Sequence, residues 1–416
     1  MTTTIKRHVY KRRKEHVRPK WGKDQLACFI KEQCGACRYI NDDYNSSLQD
    51  KYQSALSLFE QNDLLSGVRV LDPRKSPREL EYRSLFKLAV RPAKGGESRF
   101  AIGLFKPGTH DVVEIDQCPL HVFSLKKLLR DIRAELELSD LQPFNETNHT
   151  GDLRYIAARA AHMTGEIILT FVMQSDKKQS VKNIIHKLRL RDHKINSVYL
   201  NINTSKGNEI FGEESIRVTG QECLREKICD LSVEMGPTSF FQINPWQAIQ
   251  MYRRIEQLVG FSGGKSVAWD LYSGVGIIGL IMARSGYKVL AVEENEEAVT
   301  YAKANAKRND LEAKMEFYAG RVENSQYGFP DWAENPEFII TNPSRRELAS
   351  DTANFLAKKL ADGSAKNLIY VSCEPETLAR DVEIFKSHGL VLRQLEGFDM
   401  FPQTRNIEML AVITSA

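Results

Sequence analysis

From about residue 235 onward, short apolar strands alternate with helical stretches, and this alternation most limits what the chain can fold into. Residues 266–269, 288–292, 314–318, 337–341 and 367–371 are strand-like, while 277–285, 297–308 and 375–388 carry helical spacing. Parallel strands need long crossovers, and an intervening helix supplies each one, so the pattern predicts an α/β fold with a doubly wound, mostly parallel sheet. The longest apolar run, 275–283, is far short of the roughly 20 residues that cross a bilayer, and the polar, basic N-terminus lacks the apolar core of a signal peptide. The chain therefore reads as cytoplasmic, with no membrane partner.

The preceding half follows a different pattern. Residues 48–61 have helical spacing, and 81–91 (EYRSLFKLAVR) alternate with period two. That alternation places Arg83, Lys87 and Arg91 on one face and Tyr82, Phe86, Leu88 and Val90 on the other, as in a sheet with a basic face. Strand-like segments at 100–105, 112–115, 151–161 and 166–172, with helical ones at 122–136 and 181–190, predict a mixed α+β region. Charge separates off a third part. The chain has 58 Lys and Arg against 54 Asp and Glu, but residues 1–23 alone hold nine bases and one acid, Glu15. The remaining 393 residues then carry a balance of −4. With Tyr10 and Trp21 interspersed, this arm suits phosphate contact and base stacking, and equally a solvated tail.

Four motifs carry chemistry. Asp270-Leu-Tyr-Ser-Gly-Val-Gly276 follows a strand and opens a helix, where Gly274 and Gly276 let a nucleotide approach the backbone. Glu293, at the end of the next strand, can take both ribose hydroxyls. The third glycine of a dinucleotide fingerprint is displaced to Gly279, and the acidic Asp270 favours a cationic sulfonium over a pyrophosphate; the plainer alternative is a tight turn with a solvent-facing acid. Asn342, after the fourth strand, is in place to touch cofactor or substrate, although Asn-Pro alone reads as a turn. Cys373 precedes Pro375 at a helix start, where the helix dipole favours a nucleophilic thiolate. Finally, Cys28, Cys34 and Cys37 form C-x5-C-x2-C, and Cys118 offers a fourth thiolate. This set fits a [4Fe-4S] cluster or a zinc site; the single C-x2-C knuckle favours the cluster, because four-cysteine zinc sites usually pair two. Cys223 and Cys229 read as structural.

The C-terminal half resembles the S-adenosylmethionine-dependent RNA uracil-5-methyltransferases. The matching stretches are Phe240-Phe-Gln-Ile-Asn244, the 270–276 turn, Asn342-Pro-Ser-Arg-Arg346, Tyr370-Val-Ser-Cys-Glu-Pro-Glu-Thr-Leu-Ala-Arg-Asp381 and Phe398-Asp-Met-Phe-Pro-Gln-Thr404 with Glu408 beyond. The four cysteines resemble those of the iron–sulfur members, which modify large-subunit (23S) ribosomal RNA. The Asn-Pro form most resembles a bacterial branch without an N-terminal TRAM domain. The resemblance implies a Rossmann-like class I methyltransferase domain. Gln242, Tyr272, Glu293 and Asn342 would contact S-adenosyl-L-methionine or the target base, with Cys373 as nucleophile and Glu408 as base. Departures are Ser344 and Glu347 for the family's second proline and its glycine, Gly320-Arg321 where many methyltransferases carry an acid, and Ser273 for a cysteine. The expected organisation is a basic arm (1–23), an iron–sulfur and RNA-binding α+β domain (24–235) and a methyltransferase domain (236–416), acting as a monomer on RNA. Transfer-RNA uracil methylation, a non-catalytic RNA-binding assembly factor and an iron–sulfur oxidoreductase are the alternatives; the first shares the catalytic set, and the pair Cys373 and Glu408 speaks against the other two.

Overall fold

The structure, a computed structural model, describes residues 28–95, 98–191, 193–343 and 348–416. The basic arm, Ser344 and Glu347 lie outside the described residues. Among those described, two large sheets form. The C-terminal one has eight strands in the order Arg69–Arg74, Leu390–Phe398, Glu408–Ser415, Asn367–Ser372, Phe338–Thr341, Val267–Leu271, Lys288–Glu293, Met315–Ala319. All pair in parallel except Glu408–Ser415, which runs antiparallel to both neighbours.

Both faces of this sheet are buried, so its strands read as apolar runs. Successive residues enter opposite layers, as the pleat requires. Ala268, Ile340, Ile369 and Val371 join the core under helices Pro245–Val259 and Ile277–Arg284. Trp269, Ile339, Leu368 and Tyr370 join the one under Tyr44–Glu60, Ser350–Ala361 and Pro375–Ser387. No helix among the described residues is long and apolar enough to cross a membrane.

The second sheet has seven strands, ordered Val112–Glu114, Phe100–Phe105, Leu85–Pro92, Leu153–Ala160, Ile167–Met173, Ile195–Ile202, Glu214–Gly220. Its one parallel pair, Ile167–Met173 with Ile195–Ile202, is joined through helix Lys178–Arg189. That helix and Phe123–Glu137 cover the face bearing Phe86, Leu88, Val90, Ile156 and Phe171. The expected basic face exists, but Arg91 is buried within it and paired with Glu146.

The structure departs from the sequence division in one respect. Helix Tyr44–Glu60 and strand Arg69–Arg74, which fall within the expected 24–235 unit, pack into the C-terminal sheet. The helix buries Leu48, Tyr52, Ala55, Leu56 and Phe59 in that sheet's core, and Lys51 fixes where it docks. This lysine lies on the apolar stripe of its helix between Leu48 and Ala55, buried, and its ammonium meets the buried Asp399 carboxylate. It also donates to the carbonyls of Phe401 (3.3 Å) and Asn406 (3.2 Å). Burial pulls the Lys51 pKa down and the Asp399 pKa up, each opposed by its partner. The ion pair thus holds the whole helix against the loop that precedes Glu408. Lys51→Met should cost about 3–5 kcal/mol, because it strands a buried carboxylate, and Lys51→Met with Asp399→Leu should recover most of that. Urea unfolding of the two variants checks this; a single-variant loss below about 1 kcal/mol would remove the pair from its central role.

Candidate active site

In an open parallel sheet the strands' carboxyl ends share one edge. Leu271 is in register with Val292 and Thr341, and Thr341 with Tyr370. The next residues, Tyr272, Glu293 and Asn342, therefore line that edge. Strand Glu408–Ser415 runs the other way and begins there, with Met409 across from Ser372. One position past that pair come Cys373, in the turn that leaves strand Asn367–Ser372, and Glu408, the first residue of its own strand. Two residues 35 positions apart in sequence thereby reach the same edge of the sheet.

The glycine turn is fixed from several directions. Tyr272 (φ 59°), Gly274 (φ 55°) and Gly276 (φ 86°) are all left-handed, and Tyr272 is the non-glycine among them. Its hydroxyl donates to Glu323 at 3.0 Å. Beside Gly274 lies open space, the approach a ligand needs. Glu293 clasps the turn: one carboxylate oxygen accepts from the Gly274 N–H and the other from the Asn295 N–H, both at 2.9 Å. From behind, buried Asn305 donates to the Val275 carbonyl and exchanges hydrogen bonds with the Glu234 backbone.

Asp270 does not face solvent; it is 1% exposed and accepts the Gly279 N–H at 2.7 Å. A Cβ at Gly279 would stand 3.0 Å from that carboxylate and 2.8 Å from Met315 Cε. The displaced third glycine therefore lets the helix close on Asp270. Burial pushes the Asp270 pKa up to about 7, with Glu293 adding to the rise and the Gly279 N–H opposing it. Two hydroxyls nearby, Ser273 Oγ and Thr341 Oγ1, are buried without a hydrogen-bond partner among the described residues. Gln242 is buried and makes no side-chain hydrogen bond among those residues. Polar atoms left open at a nucleotide-binding edge fit S-adenosylmethionine as a ligand.

Cys373 occupies the middle of a turn that Ser372 closes, its hydroxyl accepting the Glu374 N–H and donating to the Glu374 carbonyl, both at 3.1 Å. The Tyr370 hydroxyl donates to buried Asp381 at 2.8 Å, so strand and helix on either side of the thiol are tied. Glu408, across the register, is 3% exposed. Asn342 is half-buried, and Arg321 pairs with Glu294 at the exposed rim.

The four N-terminal cysteines are neighbours. Cys28, Cys37 and Cys118 pack against Ile40, Tyr82 and Leu120. Burial, together with the Cys118, Cys34 and Cys28 thiols, pushes the Cys37 pKa up to about 12. Among the described residues, however, no three His, Cys, Asp or Glu side chains are gathered as a metal-holding group.

Two positioning residues escape sequence reading. Lys51 leaves one signal, a charge on an apolar helical stripe. Arg159, wholly buried, donates to the carbonyls of Ser239 and Phe241 (both 3.2 Å) and so holds the segment that leads into Gln242. Alternation puts it on the strand's basic face but gives no hint of its partners.

Comparison with known proteins gives three findings. The methyltransferase small domain family matches residues 258–369. An RNA methyltransferase of Fusobacterium nucleatum is 30% identical over 386 residues, covering 92% of this chain and 81% of its own. One from Clostridium acetobutylicum is 29% identical over 388 residues, covering 93% and 82%. Among solved structures, the tRNA (uracil-54, C5)-methyltransferase of Pyrococcus abyssi in complex with S-adenosyl-L-homocysteine superposes with a TM-score of 0.73 at 26% identity, covering 94% of this chain and 86% of that one.

The Asp270 environment has a measurable consequence. Its folded-state pKa is raised from 3.8 to about 7, so the native state keeps a proton that the unfolded chain gives up. Stability contributed by that group is lost as pH rises from about 4 to 7, with an upper bound of roughly 4 kcal/mol. Asp270→Asn keeps an acceptor for Gly279 without titrating. Its unfolding free energy relative to the unsubstituted protein should be near equal at pH 4.5 and higher at pH 8, as read by denaturant midpoints; a pH-independent difference refutes the buried, proton-binding Asp270.

Proposed function

This chain belongs to the RNA methyltransferase family, and from that premise we propose that it transfers a methyl group from S-adenosyl-L-methionine to C5 of a uridine in 23S ribosomal RNA. The observation that carries the uracil-5 reading is the single register step between Cys373 and Glu408 at the carboxyl edge, next to the glycine turn. The S-adenosyl-L-homocysteine complex of the Pyrococcus abyssi relative supports the cofactor.

C5 of uracil is a weak nucleophile. The Cys373 thiolate adds to C6, the N-terminus of helix Pro375–Ser387 favouring its charge, and C5 becomes enolate-like. Bound S-adenosylmethionine supplies the electrophilic methyl group. Glu408 then takes the C5 proton, the double bond re-forms and the Cys373 sulfur leaves. Tyr272 and Glu293 hold the nucleoside part of the cofactor, while Gln242 and Asn342 face cofactor or base. A stacked uracil cannot reach such an edge, so the nucleotide enters flipped out or unpaired.

The 23S assignment and the iron–sulfur cluster belong together in this reading. Cys28, Cys34, Cys37 and Cys118 are its ligands, supported by a C-x5-C-x2-C spacing and by thiols close enough to perturb Cys37. A cluster held by these four thiolates would cross-link the 28–37 segment to Cys118. The 24–235 region and the 1–23 arm supply RNA contacts. A second reading, transfer-RNA uracil methylation, is favoured by the likeness over nearly the whole chain to the Pyrococcus abyssi tRNA (uracil-54, C5)-methyltransferase.

Cys373→Ala should neither methylate RNA nor form a covalent complex. Glu408→Gln should transfer the methyl group and then stall as a Cys373-linked adduct that resists denaturing electrophoresis, with release slowed about 10²–10⁴-fold. Normal turnover by Glu408→Gln, or inactivity without adduct, removes Glu408 as the base. Mapping 5-methyluridine by mass spectrometry in ribosomal and transfer RNA, with and without the protein, decides the substrate. Anaerobically purified protein should hold about four irons per chain and lose them in Cys118→Ser; stoichiometric zinc in colourless protein overturns the cluster.

A further inference from the structure

The basic face of the seven-stranded sheet contains a cation that the methyl-transfer reaction does not use. Arg83 stands beside the Cys37 and Cys118 thiols. Arg91 is paired with Glu146 and donates to the carbonyls of Val90 and Arg154. Lys87, between them, makes no ion pair or hydrogen bond among the described residues; its ammonium lies 4.7 Å over the Phe211 ring. Burial and the nearby Arg159 guanidinium both pull its pKa down. A half-buried ammonium without a carboxylate either gives up its proton or gains an anion, and an anion at the cavity mouth restores its charge.

Lys87 lines a cavity of about 360 Å³, within the range of small-ligand sites. Its walls include the rings of Phe105 and Tyr155, and polar groups come from His110, Glu146 and Asn208. Arg91 backs both rings, 5.2 Å from each centroid, which fixes their orientation. Thr109, His110, Gly207 and Asn208 form an exposed rim. Aromatic walls, polar groups and one unmatched cation are the parts that bind an unstacked nucleotide.

The cavity shares a sheet face with the contacts that hold the segment before Gln242. Lys87 is in register with Ala157, and Tyr155, Ala157 and Arg159 follow one another on the same face of their strand. Arg159 holds the carbonyls just ahead of Gln242, and Tyr155 is four residues away, about 13 Å along the strand.

We propose that the cavity seats a second nucleotide of the RNA substrate, its phosphate at Lys87 and its base against Phe105 and Tyr155, with His110 and Asn208 meeting the base edge. The proposal rests on RNA as the substrate but not on uracil-5 chemistry. A free nucleotide offers the same groups, but the open rim at Thr109, His110, Gly207 and Asn208 favours a chain that passes through.

The test uses the full-length protein and 4-thiouridine-labelled RNA from cells lacking it. Photo-crosslinked peptides should include residues 101–110 or 153–160. Lys87→Met should bind this RNA about tenfold more weakly, with a salt slope flatter by about 0.7. Its KM for RNA should rise with kcat unchanged, and Lys87→Arg should restore binding. Melting temperature serves as the folding control, because removing an uncompensated cation should not lower it. Unchanged affinity and slope in Lys87→Met, or crosslinks absent from both peptides, overturns the proposal. So does uridine or adenosine monophosphate binding at the cavity as tightly as the RNA, which assigns it to free nucleotides. Loss of uridine methylation with the crosslinks and the Lys87 effect intact sinks the uracil reading and leaves the cavity standing.

Discussion

A buried lysine organises the reactive side of this molecule. The Lys51 ammonium reaches from helix Tyr44–Glu60 to Asp399 and to the carbonyls of Phe401 and Asn406, and so closes the 399–406 loop around one charge. The neighbouring contacts have the same effect: the Tyr82 hydroxyl donates to the Pro402 carbonyl at 2.8 Å, and the Tyr39 N–H to the Gln403 carbonyl at 3.0 Å. Through this loop the N-terminal segment, including the cysteine region, is tied to the start of strand Glu408–Ser415. Desolvating two charges brings little net stability, but the pair admits one loop geometry, and the position of Glu408 follows from it.

Around the glycine turn the same economy of buried polar groups recurs. Asp270 binds the first turn of helix Ile277–Arg284, Glu293 clasps Gly274 and Asn295, and Asn305 anchors Val275. The turn is thus set before any ligand arrives, with Ser273 and Thr341 hydroxyls and the Gln242 amide left without protein partners among the described residues. A preset site spends little of its binding free energy on ordering, which leaves more for orienting the reacting groups.

Polar contacts join the two sheets on either side of Gln242. Arg159 holds the carbonyls of Ser239 and Phe241, and the Ser84 N–H donates to the Ile243 carbonyl at 2.9 Å. The segment between these contacts carries Gln242 and the exposed Phe240. The basic face of one sheet thus reaches, through Arg159, the segment that carries Gln242.

The sequence by itself determined the local features. Strand–helix alternation beyond residue 235 set the parallel sheet, period-two alternation in 81–91 set which residues face the core, Gly274 and Gly276 marked the tight turn, and Pro375 placed Cys373 at a helix start. These are legible because burial period and backbone dihedrals are properties of neighbouring residues. Only the tertiary structure decided that the start of strand Glu408–Ser415 reaches the edge that bears Cys373, that Lys51 meets Asp399 from 348 residues away, that helix Tyr44–Glu60 packs on the C-terminal sheet, and that Asp270 is buried rather than solvent-facing. Each depends on which strands adjoin and which helix covers them, and that choice is made by the packing of whole faces, which no local pattern encodes.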